Sequence, residues 1–242
     1  MSTEEAGKSS GHAGSAGNEQ AETPLAPFHI RVVQTFFSPG AMAEGVAKHP
    51  AWVAALLTGM ALVVASLALI PPEIWESFTR EQMLARGQEV PPGFEAGIAL
   101  IRISSVVFGA VGYAIFTFLL AGLATLVFAF LLGDEGRYRQ YLAIMAHAWL
   151  IPALVGLLLT PLRIAGEDPQ LTLNLGSFLF FLQDGYLARV AKMLDLSQLW
   201  AWLVVAQGAH AIHPRRSFGS AAAVLLAIFL VIAMLFGLIP GS

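Results

Sequence analysis

Three imidazoles carry the side-chain chemistry that this sequence offers within its apolar runs. His147 lies about two turns into the run 141–162, and Gln207, His210 and His213 lie toward the end of the run that starts at Leu196. Gln207, His210 and Pro214 recur at helical spacing on one face. Two or three imidazoles at one depth could bind a metal ion. The competing reading is hydrogen bonding between helices near the ends of the runs. No carboxylate or cysteine accompanies the imidazoles, so His147, His210 and His213 stand as weak candidates only, and no metal or other cofactor is expected.

Other chemistry is harder to place. The zinc-protease helix motif His-Glu-x-x-His, the Gly-x-Ser-x-Gly elbow and a Gly-rich phosphate loop with lysine are all missing. Ser104-Ser105 and the lone Asn174 have no base at a predictable distance. No Asp, Glu, Lys or Arg falls inside any of the apolar runs. Ion-coupled transporters and proton pumps place such groups there. The expectation is a protein that is not an enzyme.

The elements that hold these residues must cross lipid. Ile103 to Leu132 is thirty residues without a charge, an amide side chain or a proline. As a helix it is about 45 Å long, against about 30 Å for the hydrocarbon core of a bilayer. It also lacks the polar face of a soluble core helix. Hydrophobic residues make up 57% of the chain and charged residues 12%, half the share of a soluble domain. The formal net charge of −3 makes nucleic acid an unsuitable partner. With no cysteine there is no disulfide and no thiolate metal site.

The fold class predicted is an all-α, polytopic membrane bundle of five spans, at about 52–70, 103–132, 141–162, 196–212 and 221–238 within a membrane domain of residues 50–239. Pro152 should kink the third span, and the Asp195 carboxylate can cap the fourth. Ser105, Gly109 and Gly112 form a small-residue face that would let another helix approach the second span. Residues 1–24 are small and polar with no aromatic, a composition for a disordered tail. Residues 25–49 are too broken to span. Ser38-Pro39 signals a helix start there, and the segment reads as an interfacial amphipathic lead-in, the alternative being a lead-in packed on the protein. Glu-rich residues 71–102 suggest a short surface helix broken at Pro91-Pro92-Gly93. Residues 175–194 suggest an interfacial or shallow re-entrant helix. Lysines and arginines split seven to six between the two sides. Their density in the short turns 133–140 and 211–219 places those turns and the N-terminus inside, and the C-terminus outside.

The order of features resembles the YIP family, the five-span proteins named for interaction with Ypt/Rab GTPases, and in particular its prokaryotic branch. Phe36-Phe37-Ser38-Pro39 precedes the first span, with Pro50 at its entrance. Gly136-Arg137-Tyr138-Arg139-Gln140-Tyr141 leads into the span broken by Pro152. Leu194-Asp195-Leu196-Ser197-Gln198-Leu199-Trp200 opens the fourth, with Gly208 near its end. The resemblance covers about residues 34–239. It implies five helices, a cytosolic N-terminus and no catalytic activity. The Asp-Leu-Tyr-Gly-Pro motif of the eukaryotic branch is missing, which weighs against binding a Rab-type GTPase.

The function expected is that of a membrane organiser or adaptor in the inner membrane of a prokaryote. Its partners would be the lipid bilayer and other membrane proteins or a second copy of the chain. The alternative is a small-solute permease or channel component, with Gln207 and His210 lining a path. Reporter fusions after residues 70, 136, 170 and 216 should alternate sides of the membrane, starting outside. Two consecutive fusions reporting one side would contradict the five-span arrangement.

Overall fold

A computed structural model describes residues 24–179, 181–182 and 185–239; the polar segment 1–23 lies outside the described residues. The regular elements are α-helices, in the order α1 (Phe28–Phe37), α2 (Pro39–Lys48), α3 (Val53–Ala68), α4 (Pro72–Ala85), α5 (Phe94–Thr125), α6 (Tyr138–Ala148), α7 (Leu150–Leu158), α8 (Thr160–Ala165), α9 (Tyr186–Met193), α10 (Leu196–Ile212) and α11 (Phe218–Phe236), with no strand among the described residues. Each expected span coincides with one of these helices or with a run of them, but the count of five is approximate. Three stretches are long and apolar enough to cross a membrane: Phe94–Leu131, Tyr138–Ala165 and Phe218–Phe236. A fourth arises if α3 and α4, bent by 81° at a short break, count as one. At 16 and 17 residues, α3 and α10 are apolar but short.

Prolines set the breaks. Pro71 and Pro72 offer no N–H to the last turn of α3, so the chain turns there and α4 starts anew with Pro72 in its first turn. Pro152 cannot donate to the Ala148 carbonyl, and the helix breaks at Trp149, between α6 and α7. Pro161 does the same at Leu159. The second expected span begins earlier than its apolar run, at Phe94, because Gly93 at φ +76° ends the Pro91-Pro92 break and the helix starts at once. At its far end α5 widens into a π-helical turn, Leu126–Leu131, and Gly133 at φ +73° brings the chain back so that the Asp134 N–H reaches the Phe128 carbonyl at 2.9 Å.

The lead-in is built into the bundle rather than lying free in the interface. Met42, Ala43 and Val46 of α2 are fully buried, and α2 packs on α10 and α6. Pro39 takes the first position of α2, but the Ser38 hydroxyl makes no cap; the Ser38 N–H instead closes α1 on the Gln34 carbonyl. Asp195 does cap α10, accepting from the Ser197 and Gln198 N–H groups and the Ser197 hydroxyl. Between 175 and 194 the regular pieces are a 3-10 turn, Leu175–Ser177, and α9, which packs against α11. Tyr186 and Arg189 of α9 donate to the Met234 and Gly237 carbonyls at 3.1 and 2.8 Å.

Two crossings are so close that only glycine fits. A Cβ at Gly208 of α10 would overlap the Ile144 side chain of α6, and one at Gly59 of α3 would overlap the Tyr113 ring of α5. Gly109 also faces α3, where a Cβ would lie 2.5 Å from Leu67 Cδ1. Gly112 differs from the expected packing face: nothing lies within 4 Å of a Cβ there. Ser105 turns back on its own helix, donating to the Ile101 carbonyl at 2.9 Å. Aromatic rings fill the space behind the α6–α7 break, with Trp149 edge-on to Trp202 at 5.3 Å and Trp202 against Phe229 at 6.3 Å.

These contacts separate the glycines by outcome. Gly59→Ala and Gly208→Ala should each destabilise by about 1–3 kcal/mol through overpacking. Gly112→Ala should be neutral or stabilising by up to about 1 kcal/mol, because the helix loses a glycine at no steric cost. Thermal denaturation in mild detergent measures all three.

Candidate functional site

The end of the bundle that carries the turns 133–137 and 213–217 holds the densest set of placed polar groups. At its centre the Asp134 carboxylate is buried, and Arg216 forks onto it, Nε to Oδ2 at 2.5 Å and a terminal nitrogen to Oδ1 at 2.8 Å. The neighbouring carboxylate raises the Arg216 pKa above its ordinary value. The guanidinium also lies over the Phe128 ring at 5.6 Å, and Phe128 stacks on Tyr141 at 6.0 Å. A Cβ at Gly136 would overlap the Tyr141 ring, so the turn lies directly on that stack. One ion pair thus ties the end of α5 to the turn between α10 and α11.

A second clasp sits beside it. Gln140, third residue of α6, accepts from the Arg137 N–H at 2.8 Å and donates to the Ala47 carbonyl at 2.7 Å. It joins the end of α2 to the start of α6, the two backbone segments that carry three cations. Lys48, Arg137 and Arg139 are exposed and line one cleft of about 410 Å³ with Pro50 and Tyr138. No carboxylate lines that cleft, and among the described residues none of the three cations forms an ion pair.

The three histidines are not brought together. The Arg31 guanidinium can only donate, so at 3.1 Å His147 Nε2 must accept, which leaves Nδ1–H to donate to the Ala143 carbonyl at 2.7 Å. Both ring nitrogens of His147 are thereby engaged in a buried contact between α1 and α6. His210 bonds the Arg216 carbonyl through Nδ1 at 2.7 Å, and His213 approaches Asp134 at 3.8 Å. Among the described residues no group of three histidines, cysteines or carboxylates could hold a metal ion.

Arg31 is buried and also donates to the Ala26 and Ala51 carbonyls, each at 3.1 Å, so it pins α1 and the entrance of α3 onto α6. At the opposite end, Arg163 donates to Ser66 Oγ at 2.9 Å and to the Leu171 carbonyl at 3.0 Å; the buried Ser66 hydroxyl lies 3.2 Å from that of Thr160. The segment before α10 pairs with its start, through Leu175 N–H to the Leu194 carbonyl and Leu196 N–H to the Leu173 carbonyl. Trp200 meets Phe36 edge-on at 5.9 Å. Gln207, read from the sequence as part of a polar patch, lies against Gly40 of α2, its amide nitrogen 3.2 Å from where a Cβ would be.

Sequence reasoning did not find Arg31, Gln140, Arg163 or the Asp134–Arg216 pair as positioned groups. A signal existed for Gln140, which stands third in its helix where a glutamine reaches back to the preceding N–H. For residues 82 positions apart no local signal exists.

Removing one partner of the buried pair leaves an unmatched charge. Arg216→Gln should destabilise by about 3–5 kcal/mol. Asp134→Asn with Arg216→Gln should cost less than Arg216→Gln alone. A double-mutant cycle on detergent-solubilised protein reads this coupling, and strictly additive losses would contradict it.

The family model for the Yip1 domain matches residues 33–239, from the middle of α1 to beyond α11. No curated protein and no solved structure matches the chain.

Proposed function

The chain belongs to the Yip1 domain family, and on that premise we propose that it is a non-enzymatic membrane organiser or adaptor, acting through protein and lipid contacts. It is a multi-pass membrane protein of that family. Its surface toward partners is the cleft of Lys48, Arg137 and Arg139 together with the exposed Arg215. The observation that carries the reading is the contrast at this end. The buried Asp134 carboxylate is neutralised by Arg216, while Lys48, Arg137 and Arg139 line a cleft with no acid in its lining. Such a surface favours an anionic partner through long-range attraction and through charge-assisted hydrogen bonds. In the orientation proposed, this end faces the cytoplasm of a prokaryotic cell and the C-terminus lies outside.

Transport is supported less well. A path needs polar groups at successive depths. Gln207 packs on α2, His147 is engaged by Arg31, and Ser66 and Thr160 bond one another. A second copy of the chain or a different membrane protein suits the adaptor reading equally, and a Rab-type GTPase is not proposed.

Purification of the full chain in gentle detergent, followed by identification of the proteins retained with it, tests the reading. The native chain should retain partners that Arg137→Glu combined with Arg139→Glu loses, at unchanged thermal stability. Recovery of the chain alone, together with solute flux in liposomes that Gln207→Leu abolishes, would overturn it in favour of a permease.

A further inference from the structure

The geometry points to a binding groove between α4 and α5 for a phospholipid whose headgroup carries a primary ammonium two carbons from its phosphate, the ethanolamine class. This deepens the lipid-contact part of the proposed function and rests on it. The groove has a volume of about 500 Å³. Its floor and far wall are apolar, formed by Ala68, Ile98, Ile103, Val106 and Val107, and its mouth carries Glu73, Glu76, Glu95 and Arg102.

Two of the mouth carboxylates are already matched. Arg80 donates to Glu76 at 2.9 Å and to Glu95 at 3.1 Å, closing one side of the groove. The remaining pair is unmatched. Glu73, exposed in the first turn of α4, forms no ion pair among the described residues. The Arg102 guanidinium donates through one terminal nitrogen to the Ala68 carbonyl at 2.5 Å and forms no ion pair among the described residues, which leaves its other N–H groups available. A carboxylate and a guanidinium therefore line one groove without meeting. A zwitterion satisfies both, its phosphate on Arg102 and its ammonium on Glu73.

The apolar part continues from the headgroup position. Residues 95, 98, 102 and 106 recur at three- and four-residue intervals and form one stripe of α5. From Glu95 to Val106 that stripe runs about 16 Å along the helix, and Ile103 and Val107 flank its far end. These two are 61% and 53% exposed, on a helix that crosses the bilayer, so an acyl chain laid there stays in hydrocarbon. A glycerol headgroup lacks the cation for Glu73. A choline headgroup has the cation but no N–H to donate.

Native mass spectrometry of the full chain in mild detergent, with equal amounts of dioleoyl lipids bearing ethanolamine, glycerol or choline headgroups, tests the assignment. The native chain should retain the ethanolamine lipid roughly tenfold better than either other lipid. Glu73→Gln should remove the preference while lipid is still retained, and Arg102→Gln should lower retention of all three. Both side chains lie at the mouth rather than in the core, and circular dichroism verifies that each variant folds. Equal retention of the three lipids by the native chain would overturn the assignment. So would an unchanged preference in Glu73→Gln, or a dimer whose formation expels lipid because a second copy covers the groove. The measurement contains no partner protein, so its failure and that of the adaptor reading are separable.

Discussion

A carboxylate buried in a membrane bundle needs its charge compensated, and Asp134 meets Arg216 in a forked ion pair, with His213 at 3.8 Å. That constraint places three elements at once. The π-helical end of α5 must bring Asp134 inward, the turn after α10 must present Arg216, and the Phe128–Tyr141 stack must lie beneath the guanidinium. Gln140 then sets α2 against the start of α6 on the same frame. The backbone that carries the exposed cations is thereby tied to the bundle, and a partner that binds them loses less ordering entropy than it would with a flexible basic tail.

The interior follows the same rule with neutral groups. Lipid cannot satisfy a polar atom, so buried hydroxyls and cations turn to neighbouring chain. Arg31 takes two carbonyls and an imidazole, Arg163 a hydroxyl and a carbonyl, Thr117 and Thr125 the carbonyls four residues earlier. Among the described residues the buried side-chain atoms left without a partner are Trp75 Nε1 and the hydroxyls of Tyr113 and Tyr141. Both tyrosines lie on glycines, Gly59 and Gly136, so shape and not hydrogen bonding fixes them. The energy gained by close ring-on-backbone contact offsets an unsatisfied hydroxyl of about 1–3 kcal/mol.

What was legible in the sequence is what depends on short range. Apolar runs gave the helices, because hydrophobic length is a property of consecutive residues. Pro71-Pro72, Pro152 and the Asp195 cap acted where they stand. Ser38 had the right type but not the role: its hydroxyl accepts no N–H of α2, and its own N–H closes α1. The histidines shared a depth in the sequence reading, yet each found a different partner, and depth alone says nothing of azimuth around a helix. The small-residue face divided for the same reason: Gly109 meets α3 and Gly112 does not. Arg31 read as an interruption in an amphipathic segment, because nothing nearby in the chain announces the carbonyls and imidazole that bury it.

Pairing also explains why a count of basic residues barely separates the two ends, seven against six, while their surfaces differ. At the end with Asp134 the buried acid is matched internally, and Lys48, Arg137, Arg139 and Arg215 stay exposed alongside Glu44 and Glu135. At the other end Arg80 meets two glutamates, Arg163 and Arg189 donate to backbone carbonyls, Arg102 gives one bond to a carbonyl, and Arg86 and Lys192 stay exposed. Glu73, Glu81, Glu89 and Glu167 remain exposed on that surface, Glu167 at φ +53°. The difference in sign lies in the exposed residues, where cations outnumber acids at the first end and acids outnumber cations at the second. A ligand approaching the first end is selected for negative charge. One approaching the second must offer a cation to Glu73 and an anion to Arg102 together, which a simple counterion cannot do.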